Sequence, residues 1–304
     1  MGRFLEVSCI VFALITSLSG VSFSGETGHY ISGVEGIKAG SAPPPGFYCR
    51  MYNVFYDADK LADGDGDSLG VDFDASTFAF APRFIWVTDA KIWGGNFAAE
   101  VTIPVIYSDL EIGALQLKED QFGLSDIFVG PFNVVWYGPF YEAGFGVGAY
   151  VPTGKCEEDN PASPGKDFWT GMLTLAGTYY LDHKKSWSAA ILSRYEIHGE
   201  KDGSDVRPGD DFHFEWGLAK TLARIWDLGL VGYCHWQVTD DRGFDVTWDR
   251  NVHDRVFAIG PEVNVFVPPL NYFFSLRCLQ EFGATDRPEG NVFVLTATKI
   301  FATF

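Results

Sequence analysis

The chain has 304 residues, of which 16% are aromatic, and carries a formal charge of −18. That length allows one large barrel or two small domains. The acidity argues against nucleic acid as a partner, because phosphate binding needs a Lys/Arg surface, and no segment after the first two dozen residues offers the long apolar run of a spanning helix.

Residues 1–24 read as a signal peptide. Arg3 is the only basic residue of its n-region, and Phe4–Leu18 is mostly apolar, with Glu6 as an unusual guest. Small residues at Ser22 and Ser24 place the cut before Gly25; a cut after Gly20, or a buried N-terminal strand, is the alternative. Cys9 leaves with this segment. Cys49, Cys156, Cys234 and Cys278 are too far apart for a short framework, which argues against a structural disulfide or a zinc site built on them.

Residues 25–46 show little alternation and end in Pro43-Pro44-Pro45-Gly46. Three consecutive prolines remove amide donors, so this is not sheet interior. The segment is either a periplasmic lead-in or a short plug folded into a pore. The compact, partly apolar Gly33–Ile37 favours the plug.

From Phe47 the hydrophobic period is two, and residues 47–304 read as the barrel. Twelve segments emerge: 47–57, 72–87, 96–108, 124–137, 140–152, 168–181, 186–198, 211–221, 228–239, 255–267, 271–283 and 291–304. Each is near the length of a tilted strand that crosses a bilayer. The last alternates fully and stops on Phe304, as outer-membrane barrels commonly do for the assembly machinery that reads the final strand. The connectors also alternate. Ala58–Val71, Asp109–Gly123, Thr153–Asp167, Gly199–Asp210 and Asp240–Asp254 are long and polar, whereas Gly138-Pro139, Asp182–Lys185 and Pro268-Pro269 are short. A soluble acidic β-sandwich or β-helix has this composition but no reason to sort its loops. The fold class is therefore all-β, a transmembrane antiparallel β-barrel of about twelve strands, placed in the bacterial outer membrane with lipid as its surroundings.

Polar residues on the face opposite the apolar one belong in the lumen, because lipid-facing charges cost about 2–4 kcal/mol near mid-bilayer for Arg or Lys. These are Arg50, Arg83, Glu100, Glu142, Arg194, Glu196, His213, Glu215, Glu262, Arg277, Glu281 and Lys299. They form either a solute-selecting pore wall or a salt-bridged filling. His198, His213 and His235 face inward with them. Opposing His198 to Asp211 pairs Glu196 with His213 and Arg194 with Glu215, a three-rung ladder between neighbouring strands. Asp63, Asp65, Asp67 and Asp74 have the outline of a calcium loop, but Ser68 stands where glycine is needed and Asp74 replaces the bidentate Glu. A solvated loop tip fits better. No G-x-S-x-G motif or cofactor motif is present, so no catalytic residue is assigned and no cofactor is expected.

Several stretches carry a resemblance. His29-Tyr30 through Gly33–Tyr48, Tyr56–Leu61, Asp126–Pro131, Tyr150–Gly154, Gly177–Asp182 and Pro208–Gly217 resemble the family named for the meta pathway of phenol degradation. The resemblance implies an outer-membrane protein linked to aromatic degradation. The expected function is a channel for passive uptake of small hydrophobic or aromatic compounds. A structural or interaction barrel displaying acidic loops is the alternative, and an envelope hydrolase a third.

Overall fold

The computed structural model describes residues 28–157 and 160–303; the expected signal peptide lies outside them. The strands are β1 (Gly46–Leu61), β2 (Phe73–Ile92), β3 (Gly95–Thr102), β4 (Val105–Ile112), β5 (Leu117–Leu124), β6 (Ile127–Tyr137), β7 (Tyr141–Val151), β8 (Thr170–Tyr180), β9 (Trp187–His198), β10 (Asp211–Leu222), β11 (Trp226–Gln237), β12 (Arg255–Val267), β13 (Tyr272–Thr285) and β14 (Pro288–Thr303). Each pairs antiparallel with its neighbours, and β1 pairs with both β14 and β2, which closes the sheet. β3 and β4 both pair with β2, and β5 and β6 continue the next stave, so the fourteen strands make twelve staves. The interruptions fall side by side, at Ile103-Pro104 and Ser125-Asp126. Pro104 has no amide to give a ladder.

The outward parity is apolar all round: Phe55, Trp86, Leu175, Leu218, Leu276, Phe293 and Phe301 are 45–63% exposed, each flanked by inward neighbours that are buried or half-buried. A surface this greasy is the signature of a lipid-facing band. Closure pairs the staves on both sides, and among the described residues β5, in the extension beyond the bilayer, is the one strand with a ladder on a single side.

Three expectations change. Residues 109–123, expected as a loop, extend the barrel as a hairpin: Asp109 pairs with Asp120, and Glu111 with Lys118, whose ammonium lies 2.7 Å from the Glu111 carboxylate. Outside the bilayer a strand pair can be polar on both faces, so polarity there did not mean loop. Lys299 stands on the outward parity near the short-connector rim and donates to the Leu270 carbonyl at 2.7 Å, a snorkelling position rather than a luminal one. The β9–β10 register places Asp211 opposite Glu196 and His213 opposite Arg194, two residues from the ladder expected, with both faces preserved.

The closed ladder carries a direct expectation. Folded protein in detergent migrates at a different apparent size on a denaturing gel before and after boiling. Identical migration, or a helix-dominated circular dichroism spectrum, would contradict the closed barrel.

Candidate functional site

Residues 28–45 run down the lumen from the long-connector end to the short-connector rim, where β1 begins. Their backbone and polar side chains meet polar groups of the wall, while Tyr30, Val34 and Ile37 pack into an apolar cluster with wall residues such as Val54, Ala81 and Val231. At the outer end, the amides of His29 and Tyr30 donate to the Glu196 carboxylate at 2.8 and 3.0 Å. The His29 ring meets Asp126 at 3.0 Å through Nε2, and the Thr170 hydroxyl at 2.8 Å through Nδ1. The same hydroxyl lies 2.7 Å from His198 Nδ1, and His198 Nε2 lies 2.9 Å from Asp211. Thr170, His198 and Asp211 thus have the connectivity of a hydrolytic triad, but all three are at most 1% exposed, with His29 already on the hydroxyl.

Further down, the Tyr30 hydroxyl donates to Glu215, its ring stacks on His213 at 4.9 Å, and the Arg194 guanidinium covers it at 3.7 Å. Glu215 also accepts the amides of Glu35 and Gly36, at 2.9 and 3.2 Å. The Glu35 carboxylate is the hub of the lumen. It pairs with Arg50 and Arg83, lies 3.7 Å from Arg194, and accepts the Tyr52 hydroxyl at 2.9 Å. Arg83 in turn pairs with Glu100. Three guanidiniums thus surround a single carboxylate whose side chain is 5% exposed.

Towards the rim, Arg277 donates to the Gly33 carbonyl at 3.0 Å and pairs with Glu262 at 3.2 Å, and Glu262 accepts the Ile37 amide at 2.7 Å. Lys38 pairs with Asp227 at 3.0 Å. The Tyr137 and Tyr48 hydroxyls donate to the Pro43 and Pro44 carbonyls, at 2.5 and 2.7 Å. Two glycines make this approach possible. Gly36 has φ +64°, and a Cβ there would collide with the Glu262 carboxylate; a Cβ on Gly40 would collide with the Gly177 backbone.

Of the residues expected to line a pore, Arg50, Arg83, Arg194, Glu196, His213, Glu215 and Arg277 contact the inserted segment itself. Glu100 acts through Arg83. Glu142 instead accepts from Tyr180 at 2.9 Å, and Glu281 from Tyr56 at 3.0 Å, both within the wall. The acidic loop does not assemble as a cation site. Asp63 caps its own turn by accepting the Asp65 and Asp67 amides, while Asp74 lies on the outward parity of β2, and no ligand cluster among the described residues includes any of the four. Sequence reasoning passed over His29, Tyr30, Glu35, Asp126 and Thr170. The signal available was Glu35 itself, a lone charge inside Gly33-Val34-Glu35-Gly36-Ile37.

Space remains on both sides of the segment. A cavity of about 210 Å³ lies toward the outer end, lined by Ile31, Val54, Ala79, Ile106 and Tyr150 beside His29 and Arg287. Another of about 270 Å³ lies toward the rim, lined by Ile37, Tyr48, Ile85, Phe273 and Ile300 beside Arg50 and Glu142. A mostly apolar space of about 60 Å³ between Val34, Val54, Ala81, Phe128 and Met172 sits by the segment's midpoint.

A closed twelve-stave barrel with a lipid-facing apolar band and a polar, segment-filled lumen is an outer-membrane barrel. The family described as "Putative MetA-pathway of phenol degradation" matches residues 58–297, and the chain belongs to it. Among solved structures, the chain is similar to an outer membrane channel from Pseudomonas putida F1, at 13% identity and a TM-score of 0.76 over 90% of this chain and 99% of that one. It is also similar to the translocator domain of the autotransporter NalP from Neisseria meningitidis, at 11% identity and a TM-score of 0.51 over 97% and 98% of the two chains. Both likenesses concern the fold. A search of curated proteins gave no match.

Proposed function

We propose that the barrel is an outer-membrane channel for passive uptake of small hydrophobic or aromatic compounds, with residues 28–45 as a plug that narrows it. One observation carries this reading: the inserted segment leaves chambers on both of its sides, each lined by apolar and aromatic side chains beside a few polar ones. Their size suits small solutes. Drug-sized ligands occupy pockets of roughly 300–1,000 Å³, whereas an apolar cavity of about 150 Å³ accepts benzene. The family's link to phenol degradation and the structural likeness to an outer membrane channel agree with it. In this reading transport follows the solute gradient. The buried Thr170–His198–Asp211 chain has no room for a substrate, and we read it as part of the plug's anchorage rather than as a catalytic site.

Cells with and without the gene, given labelled phenol at low concentration, test the proposal. Expression raises the initial uptake rate for phenol, and not for a sugar of larger cross-section. Equal phenol uptake in both strains would favour the alternative, a closed barrel whose acidic loops serve adhesion or envelope stability.

A further inference from the structure

We propose that the outer end of the lumen holds one divalent transition-metal ion of the zinc class, ligated by Asp211 of β10, His235 of β11 and Asp254 just before β12. His235 Nε2 lies 3.4 Å from Asp211 Oδ1 and 3.5 Å from Asp254 Oδ1. Those separations are long for an N–H···O hydrogen bond, which spans about 2.7–3.2 Å, and Nε2 has no hydrogen-bond partner although the residue is 1% exposed. They match a different geometry. Zinc bonds to nitrogen and oxygen measure about 2.0–2.2 Å, so two ligand atoms at the corners of a tetrahedron stand about 3.3–3.6 Å apart. The three ligand atoms together lie within 4.8 Å of one another.

The surroundings are those of a prepared site. The His235 ring stacks on His213 with centroids 5.5 Å apart and planes 3° from parallel, and His213 stacks on Tyr30. Asp211 is oriented by its other oxygen: Oδ2 meets His198 Nε2 at 2.9 Å, and the far nitrogen of His198 meets Thr170. Such outer partners fix the direction of a ligating oxygen. Gly28 closes over the site, and a Cβ on it would stand 3.1 Å from His235 Cε1 and 3.2 Å from Asp211 Oδ2. Gly28 and Arg287 also border the outer chamber, which gives the ion a route in.

Charge points the same way. Glu196, Asp211 and Asp254 bring three carboxylates into a space from which each is at least 99% excluded from solvent. Arg287, 3.7 Å from Asp254, offsets one of them. Ligation takes the imidazole in its neutral form, so binding of the ion releases any proton that His235 carries. An imidazole nitrogen among the donors favours zinc-like ions over calcium or magnesium, which prefer all-oxygen shells.

The test uses the full mature protein, folded in detergent after chelator treatment and titrated calorimetrically with zinc chloride alone, with bound metal counted by mass spectrometry. Wild type binds one equivalent, and excess calcium does not displace it. His235→Ala loses that equivalent, whereas His253→Ala, at an exposed histidine paired with Asp240, keeps it. His198→Ala retains the stoichiometry with affinity weakened about 10–100-fold, as for the loss of an outer partner. The heat-dependent gel shift reports folding of each variant, and if His235→Ala does not fold, the isosteric Asp254→Asn carries the same expectation of loss. Absence of zinc binding by wild type, undiminished binding by whichever of these ligand variants folds, or displacement by calcium would each overturn the site.

Discussion

A barrel lacking residues 25–45 should fold and conduct several-fold more current than the intact protein. The wall does not depend on the segment for its ladders. β1 pairs with β14 and β2 from Gly46 onward, and among the described residues no strand pairing involves one before it. The groups that the segment satisfies face the lumen, so removing it exposes them to water instead of leaving them buried and unpaired. Glu196, Glu215 and Arg277 would exchange backbone partners for solvent at little net cost, since an ordinary hydrogen bond contributes only about 0.5–1.5 kcal/mol over its hydrated alternative. What the deletion removes is the obstruction. Twelve staves lie between the eight-stranded barrels that side chains fill and the larger ones that hold an aqueous channel, and here it is a chain segment that fills the difference. Single-channel recording of the reconstituted deletion protein checks this, with the gel shift confirming closure. A folded deletion barrel of unchanged conductance would make the segment a mere lead-in.

The same segment explains which parts of the molecule were legible in the sequence. Alternation fixed the faces: Glu196, His213 and Glu215 are inward and at most 1% exposed, while Ile191, Ile197 and Leu218 are outward. Period two carries no information about register beyond parity, so the β9–β10 ladder rested on pairing opposite charges across the two strands. In the structure Glu196 stands opposite Asp211, and Arg194 opposite His213. The Glu196–Asp211 rung, two carboxylates face to face, is tolerated because their partners come from outside the pair: the His29 and Tyr30 amides cap Glu196 and His198 meets Asp211, while Glu35 meets Arg194. Residues 25–46 read as a lead-in or plug from their position, their prolines and the compact Gly33–Ile37, but nothing in a local pattern connects Glu35 to Arg83 or His29 to Asp126. Such contacts are set by closure of the whole barrel. The hairpin at 109–123 was missed for a related reason: polarity marks where the bilayer ends, not where the strand does.

Replacing Glu35 with Gln should release the segment from the lumen without unfolding the barrel. The substitution keeps the shape and removes the charge on which Arg50, Arg83 and Arg194 converge. Among the described residues, Glu100 then remains as a direct carboxylate partner of this cluster, through Arg83. Arg194 is the most affected, since its side chain is 5% exposed and its guanidinium lies over the face of Tyr30, a residue of the departing segment. Removing one partner of a buried ion pair costs about 3–5 kcal/mol because the other is left uncompensated. Undocking hydrates the arginines, so the cost falls on the docked state alone. At 1.4 kcal/mol per factor of ten, the docked-to-released ratio falls by roughly 10²–10³-fold. Lys38 reports the shift, because it lies in the segment and pairs with Asp227 when docked. Trypsin should cut at Lys38 rapidly in the variant and slowly in the native protein, while conductance rises toward that of the deletion. Arg50→Gln should do less, since its side chain is 28% exposed and Glu35 retains Arg83. Native-like protection of Lys38 in folded Glu35→Gln would show that the amide contacts to Glu196, Glu215 and Glu262, and not the arginine cluster, hold the segment in place.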